Sequence, residues 1–283
     1  MDEEKKITGI RNIMLNILSV LLLCLLLFPL FWIVVTSLKT EKEIFQIPPT
    51  LFPRVLNTKS YVAQVATGDF NMFQSFGNSL VISVGATLIA VVLAVPASYG
   101  IAKYHFKGKK AILLGFLVTQ MLPVSVLLTP MFILFKNTHV YNTPVAAILA
   151  DATIGIPFSV LILKNYFASI PKELEEAATI DGCGSVKTLW YVIVPMLKPS
   201  IVSCALFQFM WSSNDFMGPL LYVNTPARYP ASIFVKMSMD ADTGFEWNRV
   251  LAMSLISIIP SLIVFLLAQD QFIDGIAAGG VKG

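Results

Sequence analysis

Residues 171–199 read PKELEEAATIDGCGSVKTLWYVIVPMLKP. Three Glu, one Asp and three Lys fall within these 29 positions, whereas the runs on either side are apolar over lengths that suit a bilayer. The stretch therefore reads as a soluble element carried by a membrane protein. Locally it predicts two short helices with a bend. Pro171 suits a first helical position, and Glu173, Glu175 and Glu176 follow in the opening turns, where carboxylates meet the positive end of the helix dipole. The first helix ends at Gly182. Ser185 can cap a second helix over Val186 to Val194, and Pro195, lacking a backbone donor, ends or kinks it. Ala177, Ala178, Gly182 and Gly184 leave little bulk at the bend, so another protein surface can approach the backbone there while acidic side chains pair at the rim.

Composition agrees with the membrane setting. Of 283 residues 56% are hydrophobic and 13% charged, which indicates an integral membrane protein, and a net charge of +3 is too small to argue for nucleic acid. Cys24, Cys183 and Cys204 show neither paired nor metal-like spacing and are expected as free thiols.

Six apolar runs follow one another at about 13–35, 77–102, 111–135, 144–163, 200–223 and 250–268. The expected fold is an all-α membrane protein forming a single transmembrane domain, 1–283, with the polar segment inside a loop, 164–199, between spans four and five. The first run is too long for a signal-peptide core and no small-residue cleavage site follows, so it is expected as a retained span. The loop from Thr36 to Ser75, with Pro48, Pro49 and Pro53, is expected to make little regular structure. In the second span Ala86, Ala90, Ala94, Ser98 and Ala102 recur every four residues. Such a stripe suits close helix packing in lipid, with pore lining as the alternative. The third span is broken by Pro123 and Pro130, and the fourth holds Asp151 and Pro157. Six spans put both termini on one side. With the termini cytoplasmic, 12 Lys and Arg lie inside against 8 outside, and the short basic turn 103–110 carries the decision. Segment 171–199 is then cytoplasmic, a placement that used none of its own pattern.

The pattern itself is specific. Glu176-Ala177-Ala178, three residues, Gly182, nine residues, then Val192, Ile193, Val194 and Pro195 resembles the EAA loop of ATP-binding-cassette importer permeases. Val192 and Val194 replace the usual Ile and Leu. The resemblance extends along the chain: Thr36-Ser37-Leu38-Lys39, Pro48-Pro49, Phe52-Pro53, Asn78-Ser79, Asn214-Asp215-Phe216, Pro219-Leu220 and the terminal Gly279-Gly280-Val281-Lys282-Gly283 are similar to carbohydrate importers, nearest to the shorter membrane subunit of the maltose and multiple-sugar systems. Ser213 stands where many relatives have Trp.

The resemblance implies that the loop, through Glu173, Glu176, Ala177, Ala178, Asp181, Gly182 and Pro195, docks on a cytoplasmic ATPase subunit. The tail 279–283 would reach the ATPase interface. It further implies a heterodimer with a second, related permease, two ATPase subunits and an extracytoplasmic solute-binding protein, in the cytoplasmic (inner) membrane of a prokaryote. The transport subunit would be no enzyme and carry no cofactor; ATP and Mg would sit on the ATPases. The chain contains no Gly-x-x-x-x-Gly-Lys-Ser/Thr phosphate loop.

Charged groups at membrane depth are functional candidates by default. Asp151 and Asp215 are two. Cys204, Gln208, Trp211 and Asp215 follow at helical spacing along the fifth span, with Asn214 adjacent, and an amide, an aromatic ring and a carboxylate on one face suit a sugar. At about 1.5 Å per residue, Asp215 lies ~24 Å above the cytoplasmic end and Asp151 ~10 Å from the external end, both in the outer half. The alternative is that Asp151 bonds a neighbouring helix and Asp215 caps local structure near Pro219. Two other classes stay open: an importer of the same kind for a non-sugar solute, and an ion-driven secondary transporter. An intramembrane enzyme has little support, since His105 and His139 lie at opposite faces and no catalytic motif occurs.

Overall fold

The computed structural model describes residues 2–66, 72–237, 239 and 246–280, with side chains for 12–62, 72–236, 239 and 246–271. Among the described residues all regular structure is helical. The chain divides into two compact units, Met1–Ala66 with Lys236–Ile256, and Thr67–Val235 with Ser257–Gly283.

The first unit begins with α1 (Asp2–Ser37), whose apolar stretch Asn12–Ser37 is long enough to cross a membrane. Its side chains from Asn12 to Phe31 are exposed, a Leu- and Ile-rich surface with no small-residue stripe to draw another helix of this chain against it. The following loop is more ordered than its prolines suggest. It contains α2 (Glu41–Ile44) and α3 (Lys59–Ala66), so the expectation of little regular structure over 36–75 is corrected. The cause is polar. Buried Lys39 donates to the Thr50 carbonyl and lies 4.6 Å over the Trp32 ring. Glu43 accepts from the Arg54 N–H at 2.9 Å and from Thr50 Oγ1 at 2.8 Å. The Arg54 N–H does most to hold the Glu43 carboxyl below its usual range.

The second unit is built on α4 (Met72–Lys103) and α7 (Pro144–Ala168). The predicted stripe is the contact: Ala86, Ala90, Ala94 and Ser98 are fully buried, as are Ala146 and Ala147 of α7, and Ser98 Oγ bonds the carbonyls of Ala94 and Val160. Ala102, at the end of the stripe, is only partly buried.

The third apolar run is not one helix. It divides into α5 (Lys109–Met121) and α6 (Val124–Asn137), which meet at 102°, because Pro123 has no N–H to donate to the preceding turn. Pro130, expected to break it too, is accommodated inside α6. The fifth run is likewise divided. Helix α11 (Lys198–Asn214) stops before Asp215, whose extended backbone leads into α12 (Met217–Tyr222).

A polar knot closes the end of the unit opposite the 171–199 segment. Asn142 Oδ1 accepts from the N–H groups of Asn224 (2.9 Å) and Thr225 (3.0 Å), and Asn78 Nδ2 donates to the carbonyls of Ala227 and Tyr229. After α13 (Ala231–Met237), the last helix α14 (Trp247–Gly280) runs well past the expected limit of 268; its stretch Trp247–Gln271 is long and apolar enough to span. Among the described residues four helices meet that test alone, and six spans result if each of the bent pairs, Lys109–Met121 with Val124–Asn137 and Ser185–Met196 with Lys198–Asn214, counts as one.

Candidate functional site

The segment 171–199 folds as two short helical pieces, close to its sequence reading but differently capped. Helix α8 (Lys172–Ile180) has Pro171 at its N-cap, outside the helix where its missing donor costs nothing. Gly182 follows at φ 80°, a left-handed conformation that favours glycine. The second piece begins as α9 (Ser185–Lys187), passes through a π-helical turn at Thr188–Ile193 and ends as α10 (Val194–Met196). Ser185 is its first residue and makes no capping bond; Gly184 holds the cap position. Between Ser185–Met196 and Lys198–Asn214 the chain turns by 81° around Pro195 and Leu197.

These pieces have two faces. Leu189 and Ile193 are buried in a cluster with Ala94, Tyr99, Leu163 and Phe167, which anchors the segment on the ends of α4 and α7. The other face is open: Ile180 is 86% and Tyr191 79% exposed, beside exposed Glu173, Glu176, Ala177, Asp181, Gly182 and Pro195. Ala178, counted with the docking residues from the sequence, is buried on the inner side. A Cβ placed on Gly182 or Gly184 meets nothing within 4 Å. The surface thus offers large apolar side chains, three carboxylates and approachable backbone together.

The intramembrane candidates separate into two groups. Asp151, 1% exposed, receives a hydrogen bond at Oδ2 from Ser212 Oγ, and its carbonyl accepts from Gln208 Nε2 at 3.1 Å. Asp215 is not on the helical face that its spacing implied, because α11 has ended; its carboxylate approaches Asp151 and accepts from the Gly218 N–H at 3.1 Å, at the start of α12. Asp151 therefore does bond a neighbouring helix and Asp215 does cap local structure. Ser212 and Gly155 were missed by sequence reasoning. A Cβ on Gly155 would lie 1.8 Å from Gln208 Oε1, so Gly155 is what admits the Gln208 amide between α7 and α11.

Trp211 points elsewhere. It is 52% exposed and lines an open concavity of about 340 Å³ with Gln120, Ile154, Gly155, Phe158, Phe207 and Gln208. Gln120 Nε2 bonds the Ile154 carbonyl there at 3.2 Å, and Phe158 and Phe207 meet edge to face at 6.2 Å. Gln208 joins the two groups, lining the concavity while bonding Asp151. Asn214 is exposed, its amide donating to the Met210 carbonyl. Of the tail, Gly279 and Gly280 lie in the α14 backbone, whereas Val281, Lys282 and Gly283 lie outside the described residues.

The family described as "Binding-protein-dependent transport system inner membrane component" matches residues 86–271. The chain belongs to this family. The matched region contains the whole 171–199 segment and the Asp151, Gln208, Trp211 and Asp215 positions. The permease is 31% identical to the diacetylchitobiose uptake system permease protein DasC of Streptomyces coelicolor over 95% of this chain and 96% of that one. It is 30% identical to the trehalose/maltose transport system permease protein MalG of Thermococcus litoralis over 97% and 98%. Its fold is shared with a chain of a bacterial ABC transporter involved in import of the acidic polysaccharide alginate, at a TM-score of 0.77 and 20% identity over 93% of this chain and 96% of that chain. A methionine ABC transporter chain gives a TM-score of 0.60 at 14% identity, covering 72% and 95%.

Proposed function

We propose that this permease is the shorter membrane subunit of a sugar or oligosaccharide importer, paired with a second related permease, two ATPase subunits and an extracytoplasmic binding protein. Six spans with both termini cytoplasmic complete the proposal, the bent α5–α6 pair serving as one crossing and α11 as another. The single observation that carries it is the two-faced 171–199 segment: an inner face sealed into the helix ends and an outer face of exposed Ile180, Val186 and Tyr191 beside Glu176 and Gly182, which none of the described residues covers. Such a surface suits a groove on an ATPase, where ATP and Mg would bind.

Sugar as cargo is supported by the similarity to permeases named for diacetylchitobiose and trehalose/maltose, end to end at 30% identity or more. The Trp211 concavity adds a chemical reason. Aromatic rings stack on the C–H faces of a pyranose, and the Gln120 and Gln208 amides can serve its hydroxyls. Asp151 and Asp215 act behind this surface, holding α7, α11 and α12 in place.

The test is the complex reconstituted in proteoliposomes with its cognate binding protein and ATP, offered a panel of oligosaccharides, amino acids and phosphate. ATP-dependent uptake of an oligosaccharide is expected. Uptake of a non-sugar solute alone, or uptake driven by an ion gradient without ATP, would overturn the cargo or the energy source respectively.

A further inference from the structure

Lys103 closes α4 at the same end of the unit as the 171–199 segment. It does not reach into solvent as a terminal lysine ordinarily does. Its side chain is 10% exposed, and its ammonium lies 2.6 Å from Glu175 Oε1 and 2.8 Å from the Ile170 carbonyl. Glu175 is on the inner side of α8, away from the open docking face that carries Glu176. Tyr99 stands one turn earlier on α4, four residues from Lys103 and so on the same face. Its ring is fixed edge-on against Phe167 of α7 at 5.8 Å and Tyr104 at 6.0 Å. One lysine of α4 therefore grips both a carboxylate of α8 and the α7–α8 junction.

The grip has a mechanical consequence. Removing either charge leaves the other desolvated without its partner, so α8 cannot leave the end of α4 cheaply. At about 1.5 Å per residue the 32-residue α4 is ~48 Å long. Further along, its Ser83 hydroxyl meets Ser213 of α11 at 3.0 Å, two residues before Asp215. A displacement imposed on α8 is thus delivered at Lys103 to a continuous helix that passes beside the intramembrane polar group.

We infer that Lys103 is a positioning residue for energy coupling: through Glu175 it ties the ATPase-docking helix to α4, so that the two move as one body. The inference rests on the importer reading above. It assigns to Glu175 a role distinct from Glu176, inward transmission as opposed to outward docking.

The experiment uses the complete complex in proteoliposomes and reads two quantities: recovery of the ATPase with the permease, and the ratio of ATP hydrolysis with the cognate binding protein, used as purified, to hydrolysis without it. Lys103→Met and Glu175→Gln should each lower that ratio about tenfold with ATPase recovery unchanged. Lys103→Arg should keep most of it, and the exchanged pair Lys103→Glu with Glu175→Lys should restore a substantial part of the loss. Wild-type ratios in both single variants would overturn the inference, as would an exchanged pair no better than the single variants. Should Lys103→Met fail to assemble, Glu175→Gln decides, and a wild-type ratio in that variant would overturn the strut. A wild-type complex that shows no response to the binding protein sinks the importer reading and the strut with it, whereas a responsive wild type with unaffected variants sinks only the strut.

Discussion

The α4–α7 contact and the 171–199 segment are both stocked with small residues, and they use them in opposite ways. In α4, Ala86, Ala90, Ala94 and Ser98 are filled contacts: each is fully buried, and neighbouring Gly85 has Ile148 Cδ1 only 2.9 Å from where its Cβ would be. In 171–199, Ala177, Gly182 and Gly184 are open, with no atom near the missing Cβ of either glycine. A small-residue stripe announces close approach in both places, because backbones can come together only where side chains do not intervene. What separates the two is the company of large residues. On the α4 face that carries the stripe Ile82, Val95 and Tyr99 are buried, whereas beside Gly182 large residues stand out from the surface as Ile180, Val186 and Tyr191. The first is a contact the chain makes with itself, and on the function proposed above the second is one it reserves for another chain.

The comparison breaks most severely if a filled contact is overfilled. Gly155→Val should have the largest effect of all, since its Cβ alone would overlap the Gln208 amide, and no rotamer of valine relieves a 1.8 Å approach. About 3 kcal/mol or more of destabilisation is expected from overpacking together with loss of the Gln208–Asp151 bond, visible as reduced membrane yield and a lowered unfolding temperature in detergent. Normal yield and stability would show that α7 and α11 have room to separate. At the open contact the prediction inverts. Glu176→Lys and Gly182→Arg should leave yield unchanged and lower recovery of the ATPase at least about tenfold, through charge reversal in one case and bulk with backbone strain in the other. Co-purification at wild-type levels in both variants would remove the open face from the coupling role.

A smaller effect is expected at the tail. Deleting Gly275–Gly283 removes the last part of α14 and the residues that follow, and binding-protein-stimulated hydrolysis should fall about threefold while assembly falls less. Unchanged stimulation would exclude a role at the ATPase interface. Through Gly280 the tail continues α14, which a helix already nucleated over the preceding span can do at little cost.

The difference between legible and illegible features follows the range of the interaction. The α4 stripe, the 171–199 bend and the apolar runs could be read because period, glycine placement and hydropathy are local properties. The breaks after Met121 and Asn214 were read only in part, since a proline marks where a helix can bend but not whether it does: Pro123 divides one run and Pro130 lies inside α6. Ser212 could not be read at all. A serine gives no sequence signal, and its importance comes from Asp151, 61 positions away in the chain. Asp215 was misplaced for the same reason, its helical spacing from Trp211 meaning nothing once α11 ends at Asn214.

The concavity at Trp211 tests the comparison at an intermediate point, since it is lined by large residues, left open, and set among the helices. If it faces the transport pathway, Trp211→Ala should lower uptake about fivefold with the ATPase still assembled, because one stacking surface is lost and the 171–199 segment is untouched. Asp215→Asn should have the smallest effect of the series. Its amide oxygen can still accept from the Gly218 N–H, so the start of α12 keeps its cap, and only the contact of its carboxylate with Asp151 changes character. The reporter is a cysteine placed at 211 or 215 in a chain freed of Cys24, Cys183 and Cys204, probed with a small water-soluble thiol reagent with and without cargo. Residue 211 should react readily and be protected by cargo, and residue 215, set behind Gln208 and Ser212, should react slowly. If neither position reacts in any transport state and cargo protects neither, the concavity is packed against lipid or the second permease. It would then belong with the reserved contacts of 171–199, leaving the sugar to be held by the partner subunit.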